Sequence, residues 1–178
     1  MSTPDPFRPS VLLHVCCGPC AGHAVETLQA DYDVTGFFSN SNIAPRTEYD
    51  RRLAAARTLA EAMDIELAED TYDHAAWLAR VTGLEAEPEG GRRCEVCFRF
   101  SLERAASYAR EHGFDLFTTT LTVSPHKRSA TLFAVGRPLG PFHAIDFKKR
   151  DGFRRSMELA KTLNLYRQHD CGCEFSRR

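Results

Sequence analysis

The stretch from Val11 to Leu28 constrains the fold more than any other part of the chain. Val11-Leu12-Leu13-His14-Val15 is an apolar run that reads as a strand, Cys16-Cys17-Gly18-Pro19-Cys20 as a tight loop, and Ala21 to Leu28 as a helix. In an open α/β fold, ligands sit on the loop that leaves a strand's carboxyl end, against the amides of the next helix's first turn. Here that loop carries three thiols where a nucleotide-binding loop would carry glycines.

The rest of the chain repeats the alternation. Strands are predicted at Val34 to Ser39, Ile65 to Leu67, Asp115 to Thr122 and His143 to Phe147. Helices are predicted at Thr47 to Met63, Tyr72 to Val81, Cys94 to His112, Ser129 to Val135 and Gly152 to Leu165. In the Thr47 helix the apolar positions are Leu53, Ala56, Leu59, Ala60 and Met63, with Arg51, Arg52, Arg57 and Glu61 falling elsewhere; Trp77 is expected in the core. Alternating strands and helices point to a single doubly wound, mainly parallel sheet. With 178 residues, residues 11–178 form one α/β domain, preceded by a flexible segment of residues 1–10.

The net charge of -1 neither demands nor excludes a nucleic-acid partner, since a neutral total can hide a basic face. The N-terminal residues lack the basic start and apolar core of a signal peptide, and no apolar run nears the roughly 18 residues needed to span a bilayer. The expectation is a soluble cytoplasmic protein with no membrane contact.

The cysteines decide the chemistry. Seven occur, at Cys16, Cys17, Cys20, Cys94, Cys97, Cys171 and Cys173, grouped as three, two and two. An odd count, an adjacent pair and the missing secretion signal argue against a disulfide framework and for metal binding or redox work. Buried cysteines acting as small hydrophobes are the bland alternative. Cys94 and Cys97 share a face at a helix start, where free amides and the helix dipole should lower thiol pKa values. Four thiolates suit a 4Fe-4S cluster or a tetrahedral zinc ion, and spacing alone does not choose between them. A closed zinc site would leave three cysteines over, which favours iron–sulfur.

The ordered motifs then carry a resemblance. These are Leu12 to Cys20; Asn42-Ile43-Ala44-Pro45 with Glu48-Tyr49; Arg93-Cys94-Glu95-Val96-Cys97 with Leu102-Glu103; Thr118 to Leu121 with Ser124-Pro125; Asp146 to Lys149; and Leu165 to Gln168 with Cys171-Gly172-Cys173 and Phe175-Ser176. Together they resemble the QueH-type epoxyqueuosine reductases over nearly the whole chain. The resemblance implies reduction of epoxyqueuosine to queuosine in the anticodon loop of tRNA by an iron–sulfur enzyme. It also implies a fold similar to the adenine nucleotide alpha-hydrolase group, Rossmann-like, with a cysteine-rich metal site at the carboxyl ends of the strands. Asp170 departs from the family pattern, which places a tyrosine there, and is expected simply to face water.

On that footing Cys16, Cys17, Cys94 and Cys97 are the expected cluster ligands. Cys20, Cys171 and Cys173 are left for a second metal ion, iron, or for a thiol pair. His14, Tyr49 and His126 are proton-donor candidates, each with a plain structural alternative: a satisfied carbonyl, packing, or a helix start. Basic clusters, including Arg93, Arg99, Lys127, Lys148, Lys149 and Arg177-Arg178, could form a tRNA-binding rim, against the alternative of ordinary solvated surface. A low-potential electron donor is required. A zinc-stabilised nucleic-acid-binding module and a thiol–disulfide oxidoreductase are the competing readings.

Overall fold

A computed structural model describes residues 8–176. Most of the predicted flexible segment, residues 1–10, and the Arg177-Arg178 pair lie outside the described residues. Within them, four strands form one sheet: β1 (Ser10–His14), β2 (Asp33–Phe38), β3 (Glu66–Glu69) and β4 (Leu116–Thr119). Every pairing is parallel and the order is β3-β2-β1-β4. Six α-helices accompany it: α1 (Gly18–Leu28), α2 (Arg46–Ala62), α3 (His74–Val81), α4 (Arg92–Glu111), α5 (Ser129–Gly136) and α6 (Gly152–Thr162).

The strand alternation explains why both faces are covered. Val11, Leu13 and Val15 point to one side, into a core with Ala24 and Val25 of α1, Leu53 and Leu59 of α2 and Ala160 of α6. Leu12, with Phe37 of β2 and Phe117 of β4, points to the other, against Ala105, Ala106 and Ala109 of α4. Consecutive apolar residues such as Val11-Leu12-Leu13 are what a sheet sandwiched between helices requires. Trp77 is fully buried, in a separate cluster with Val81, Phe100 and Cys173.

β1 lies between β2 and β4, so the chain reverses its direction of travel across the sheet there. That is the topological switch point, where an open α/β sheet leaves a crevice at its carboxyl edge. The loops after β1 and β4 meet at the crevice: the Cys16 amide donates to Thr120 Oγ1 at 3.0 Å. Both sequence groups that begin there therefore face one place.

Several predicted elements differ, the first helix starting at Gly18 and so taking in Cys20. The segment His143 to Phe147 is not a strand; only an isolated bridge joins Phe142 to Phe117. Threonine side chains take the place of the ladder, with Thr118 Oγ1 donating to the His143 carbonyl at 2.7 Å and Thr122 Oγ1 to the Ile145 carbonyl at 2.9 Å. β4 stops at Thr119, whose hydroxyl accepts from the Leu121 amide and turns residues Thr120–Val123 into a 3-10 helix. α6 ends at Thr162 rather than Leu165, because Asn164 is left-handed (φ 50°) and the Leu165 amide returns to the Ala160 carbonyl. No helix among the described residues is long and apolar enough to cross a membrane.

Candidate functional site

Cys16, Cys17 and Cys20 form a compact thiol group, their sulfurs all within 4.8 Å of one another. The backbone creates this proximity: Cys17 is extended (φ -168°, ψ 156°) as the N-cap of α1, and the helix begins at once with Gly18 and Pro19. Gly18 is required by close approach, since a Cβ there would stand 2.6 Å from the Ala55 carbonyl oxygen of α2. Hydrogen bonds from Cys17 and Cys20, outweighing burial and helped by Thr120 and Lys127, hold the Cys16 thiol well below its ordinary pKa. The same contacts push Cys17 up to about 12 and Cys20 well above the usual thiol range. Of the three thiols, Cys16 is the one whose surroundings favour the thiolate. Gln168 Nε2 donates to Cys17 Sγ at 2.9 Å.

The other four cysteines gather across from it. Cys94 Sγ, on the first turn of α4, accepts from the Gly90 amide at 3.2 Å. One turn on, Cys97 packs with Cys171 against the Trp77, Phe100 and Cys173 cluster. The predicted lowering of the α4 thiol pKa values does not occur: burial raises Cys94, and burial with the facing Cys171 raises Cys97. Burial outweighs the helix start. Burial likewise raises Cys173.

The tail that carries Cys171 and Cys173 has no regular structure until the 3-10 turn Glu174–Ser176, and Arg52 fastens it. The Arg52 side chain is 4% exposed and donates to Glu48 Oε1 (2.7 Å), to the Cys171 carbonyl (3.1 Å) and to both the carbonyl and Oδ1 of Asp170 (3.3 Å each). Glu48 Oε2 accepts from the Tyr166 hydroxyl at 2.8 Å, and Asp170 Oδ1 from the Gly172 amide at 2.6 Å. Arg52, expected on the polar side of its helix, is therefore a buried anchor, and Asp170 is partnered as well as partly exposed. The spacing of Glu48 and Arg52, four apart on one helix, is the signal that could have marked the pair.

Both thiol groups open onto one cavity of about 910 Å³, lined by Cys16 and Cys20 from the first group and Cys97 and Cys171 from the second. Lys127 also lines it. Burial works to lower the Lys127 pKa, but Cys171, Cys16, Cys20 and Cys17 face it and raise the pKa overall, so it stays an ammonium. A soft donor set of thiols beside a lysine ammonium fits a thiolate-bound metal centre. Cys20, expected apart from the cluster ligands, is within the compact group with Cys16 and Cys17, while Cys94 and Cys97 lie nearer Cys171 and Cys173.

The remaining candidates separate by position. His14 is buried with both ring nitrogens committed, Nδ1 to the Thr119 hydroxyl (2.9 Å) and Nε2 to the Ser39 carbonyl (3.0 Å). The carbonyl can only accept, so the proton sits on Nε2; burial lowers the His14 pKa and keeps the ring neutral. Tyr49 is buried against Phe38 and Tyr72, and desolvation raises its pKa. His126 is exposed and lines the cavity. Arg93 corrects the basic-rim expectation: it is 2% exposed and its guanidinium donates to the carbonyls of Leu84, Glu85 and Glu87, closing the loop before α4. Lys148 is tied to Ser129 and, at 3.2 Å, to Asp146. Arg99 and Lys149 are exposed.

A parallel α/β sheet with a thiol-lined cavity at its switch point defines a cysteine-centred protein able to hold a metal in a ligand-sized crevice. The family described as Epoxyqueuosine reductase QueH matches residues 11–178. The epoxyqueuosine reductase QueH of Streptococcus pyogenes serotype M1 is 40% identical over 183 residues, covering 97% of this chain and 72% of that protein. Its namesake from Thermotoga maritima is 33% identical, covering 94% and 90%, and that from Dehalococcoides mccartyi 34%, covering 96% and 93%. The chain belongs to the epoxyqueuosine reductase QueH family.

Proposed function

We propose that this protein reduces epoxyqueuosine to queuosine in tRNA, with electrons delivered through an iron–sulfur centre held by its cysteines. The observation that carries the reading is the convergence of the β1 loop, α4 and the tail, each bearing thiols, on one cavity of nucleoside size in a chain of this family. Removing the epoxide oxygen to leave an alkene consumes two electrons and two protons and releases water. A 4Fe-4S cluster, when bound, supplies electrons one at a time at a potential set by charge and hydrogen bonds. An external low-potential donor refills it.

We assign the cluster to Cys16, Cys17, Cys94 and Cys97, leaving Cys20, Cys171 and Cys173 for a second iron or a thiol pair. The Lys127 ammonium offsets the thiolate charge facing it. Among the three proton-donor candidates, His126 combines a place on the cavity wall with a ring open to solvent. Arg99, Lys127 and Lys149 provide phosphate contacts, so affinity for tRNA falls as salt rises; affinity indifferent to salt overturns the basic rim.

Anaerobically purified protein should contain iron and sulfide and convert epoxyqueuosine in tRNA when given a low-potential reductant. Zinc in place of iron, with no conversion, selects the nucleic-acid-binding reading; a titratable dithiol without metal selects the oxidoreductase. Loss of the cluster on Cys20→Ala but not on Cys16→Ala overturns the ligand assignment.

A further inference from the structure

Phe153 is the one exposed large hydrophobic side chain among the described residues, at 37%. It stands on the first turn of α6 and lines the mouth of the thiol cavity. Its position is fixed by the backbone before it. Arg150 and Asp151 are both left-handed (φ 52° and 60°), and a Cβ on Gly152 would lie 1.8 Å from the Phe147 carbonyl oxygen. The turn therefore tolerates only glycine at 152, and it presents the next side chain outward at a set place. An exposed ring held on the lining of a thiol-bearing cavity contributes nothing evident to the core.

The charges around it fit a polyanion. Arg154 and Arg155 are neutralised, by Asp151 with Glu158 and by Glu26 respectively. Lys149, Arg150 and, on the cavity wall, Arg167 are exposed and stand outside those pairs. The acidic groups on the same wall are Glu89 and Asp170, and Asp170 is paired with Arg52. An aromatic face flanked by free cations is the pattern that binds a single-stranded loop: the cations take the phosphates and the ring takes a base. We propose that Phe153 is the platform on which a base of the substrate's splayed anticodon loop stacks as the modified nucleoside enters the cavity. The inference rests on the tRNA reading above and adds the residue that receives the loop.

The test is equilibrium binding of epoxyqueuosine-containing tRNA, without reductant, to wild-type protein and to Phe153→Ala, Phe153→Leu and Phe153→Trp, across a salt series. Loss of one base stack weakens binding roughly 5- to 150-fold. Ala and Leu should both show it, since each lacks an aromatic face, and the slope of log K against log salt should equal that of wild type, because no phosphate contact is removed. Trp should retain affinity and report directly. The only native tryptophan, Trp77, is fully buried, so quenching of the new indole on tRNA addition marks stacking at the mouth. Binding by Ala or Leu within about twofold of wild type overturns the platform, as does an unquenched indole at saturating tRNA. Wild-type protein that binds tRNA but yields no queuosine once reductant is added overturns the functional reading instead.

Discussion

Replacing Arg52 by Met keeps an unbranched apolar stem in place of the arginine's methylenes and removes every donor. The wild-type guanidinium, 4% exposed, joins Glu48 on α2 to the Asp170-Cys171 backbone of the tail. Without it the Glu48 carboxylate, 14% exposed, keeps only the Tyr166 hydroxyl, and the Cys171 carbonyl loses its side-chain donor. Removing one partner of a buried pair costs about 3–5 kcal/mol, because the other charge is left uncompensated. Against a typical total stability of about 5–15 kcal/mol, that is a large share. A chain of this size loses roughly 2–4 °C of melting temperature per kcal/mol, so Arg52→Met should melt roughly 6–20 °C lower by far-ultraviolet circular dichroism. Because the damage is a stranded charge, Glu48→Gln combined with Arg52→Met should be less destabilised than the sum of the two single changes, by about 0.5–3 kcal/mol. Cys173, buried in the wild type, should become open to alkylation in Arg52→Met. A variant that melts within about 2 °C of wild type with Cys173 still protected refutes the anchor.

Two other perturbations follow from the same geometry. Asp70 accepts from Ser39 Oγ at 2.6 Å and from Arg104 through both oxygens; burial alone would raise its pKa, but these partners hold it below the ordinary 3.8. A depressed folded-state pKa stabilises above the unfolded value and is lost as pH falls through the folded value. Asp70→Asn should therefore destabilise by about 1.5–3 kcal/mol at neutral pH, and urea melts of the two proteins should converge below about pH 4; a gap constant with pH contradicts the ion pair. Gly172 is left-handed (φ 90°), and a Cβ would stand 2.9 Å from Arg52 Nη1. Gly172→Ala should cost about 1–3 kcal/mol and speed alkylation of the tail cysteines, and an unshifted melt contradicts the close approach.

How much of this was legible in the chain depends on where each residue's partners lie. β1 and α1 were readable because an apolar run and a helix-start loop are local signals, and the switch-point position of the thiols followed from the fold class. The strand predicted at His143 to Phe147 was not, because its apolar residues pack without a ladder and the hydroxyls of Thr118 and Thr122, far upstream, take its carbonyls. Arg52 and Arg93 look like surface cations by helical period. Helical spacing shows only the Glu48 partner of Arg52; the other partners are carbonyls of Cys171, Asp170, Leu84 and Glu85, which no periodicity displays. The α4 thiols illustrate the same limit: their helix-start position is local, but burial, and for Cys97 also the facing Cys171 of the tail, raises their pKa.

On the proposed function, the thiol-lined cavity at the switch point performs the two-electron removal of the epoxide oxygen. The direct measurement is a nucleoside digest of epoxyqueuosine-containing tRNA after anaerobic incubation with the iron-loaded protein and a low-potential reductant, with electrons consumed counted against product. Queuosine should form at two electrons per nucleoside, and none should form with Cys16→Ala. Epoxyqueuosine recovered unchanged from protein carrying its full iron and sulfide contradicts it.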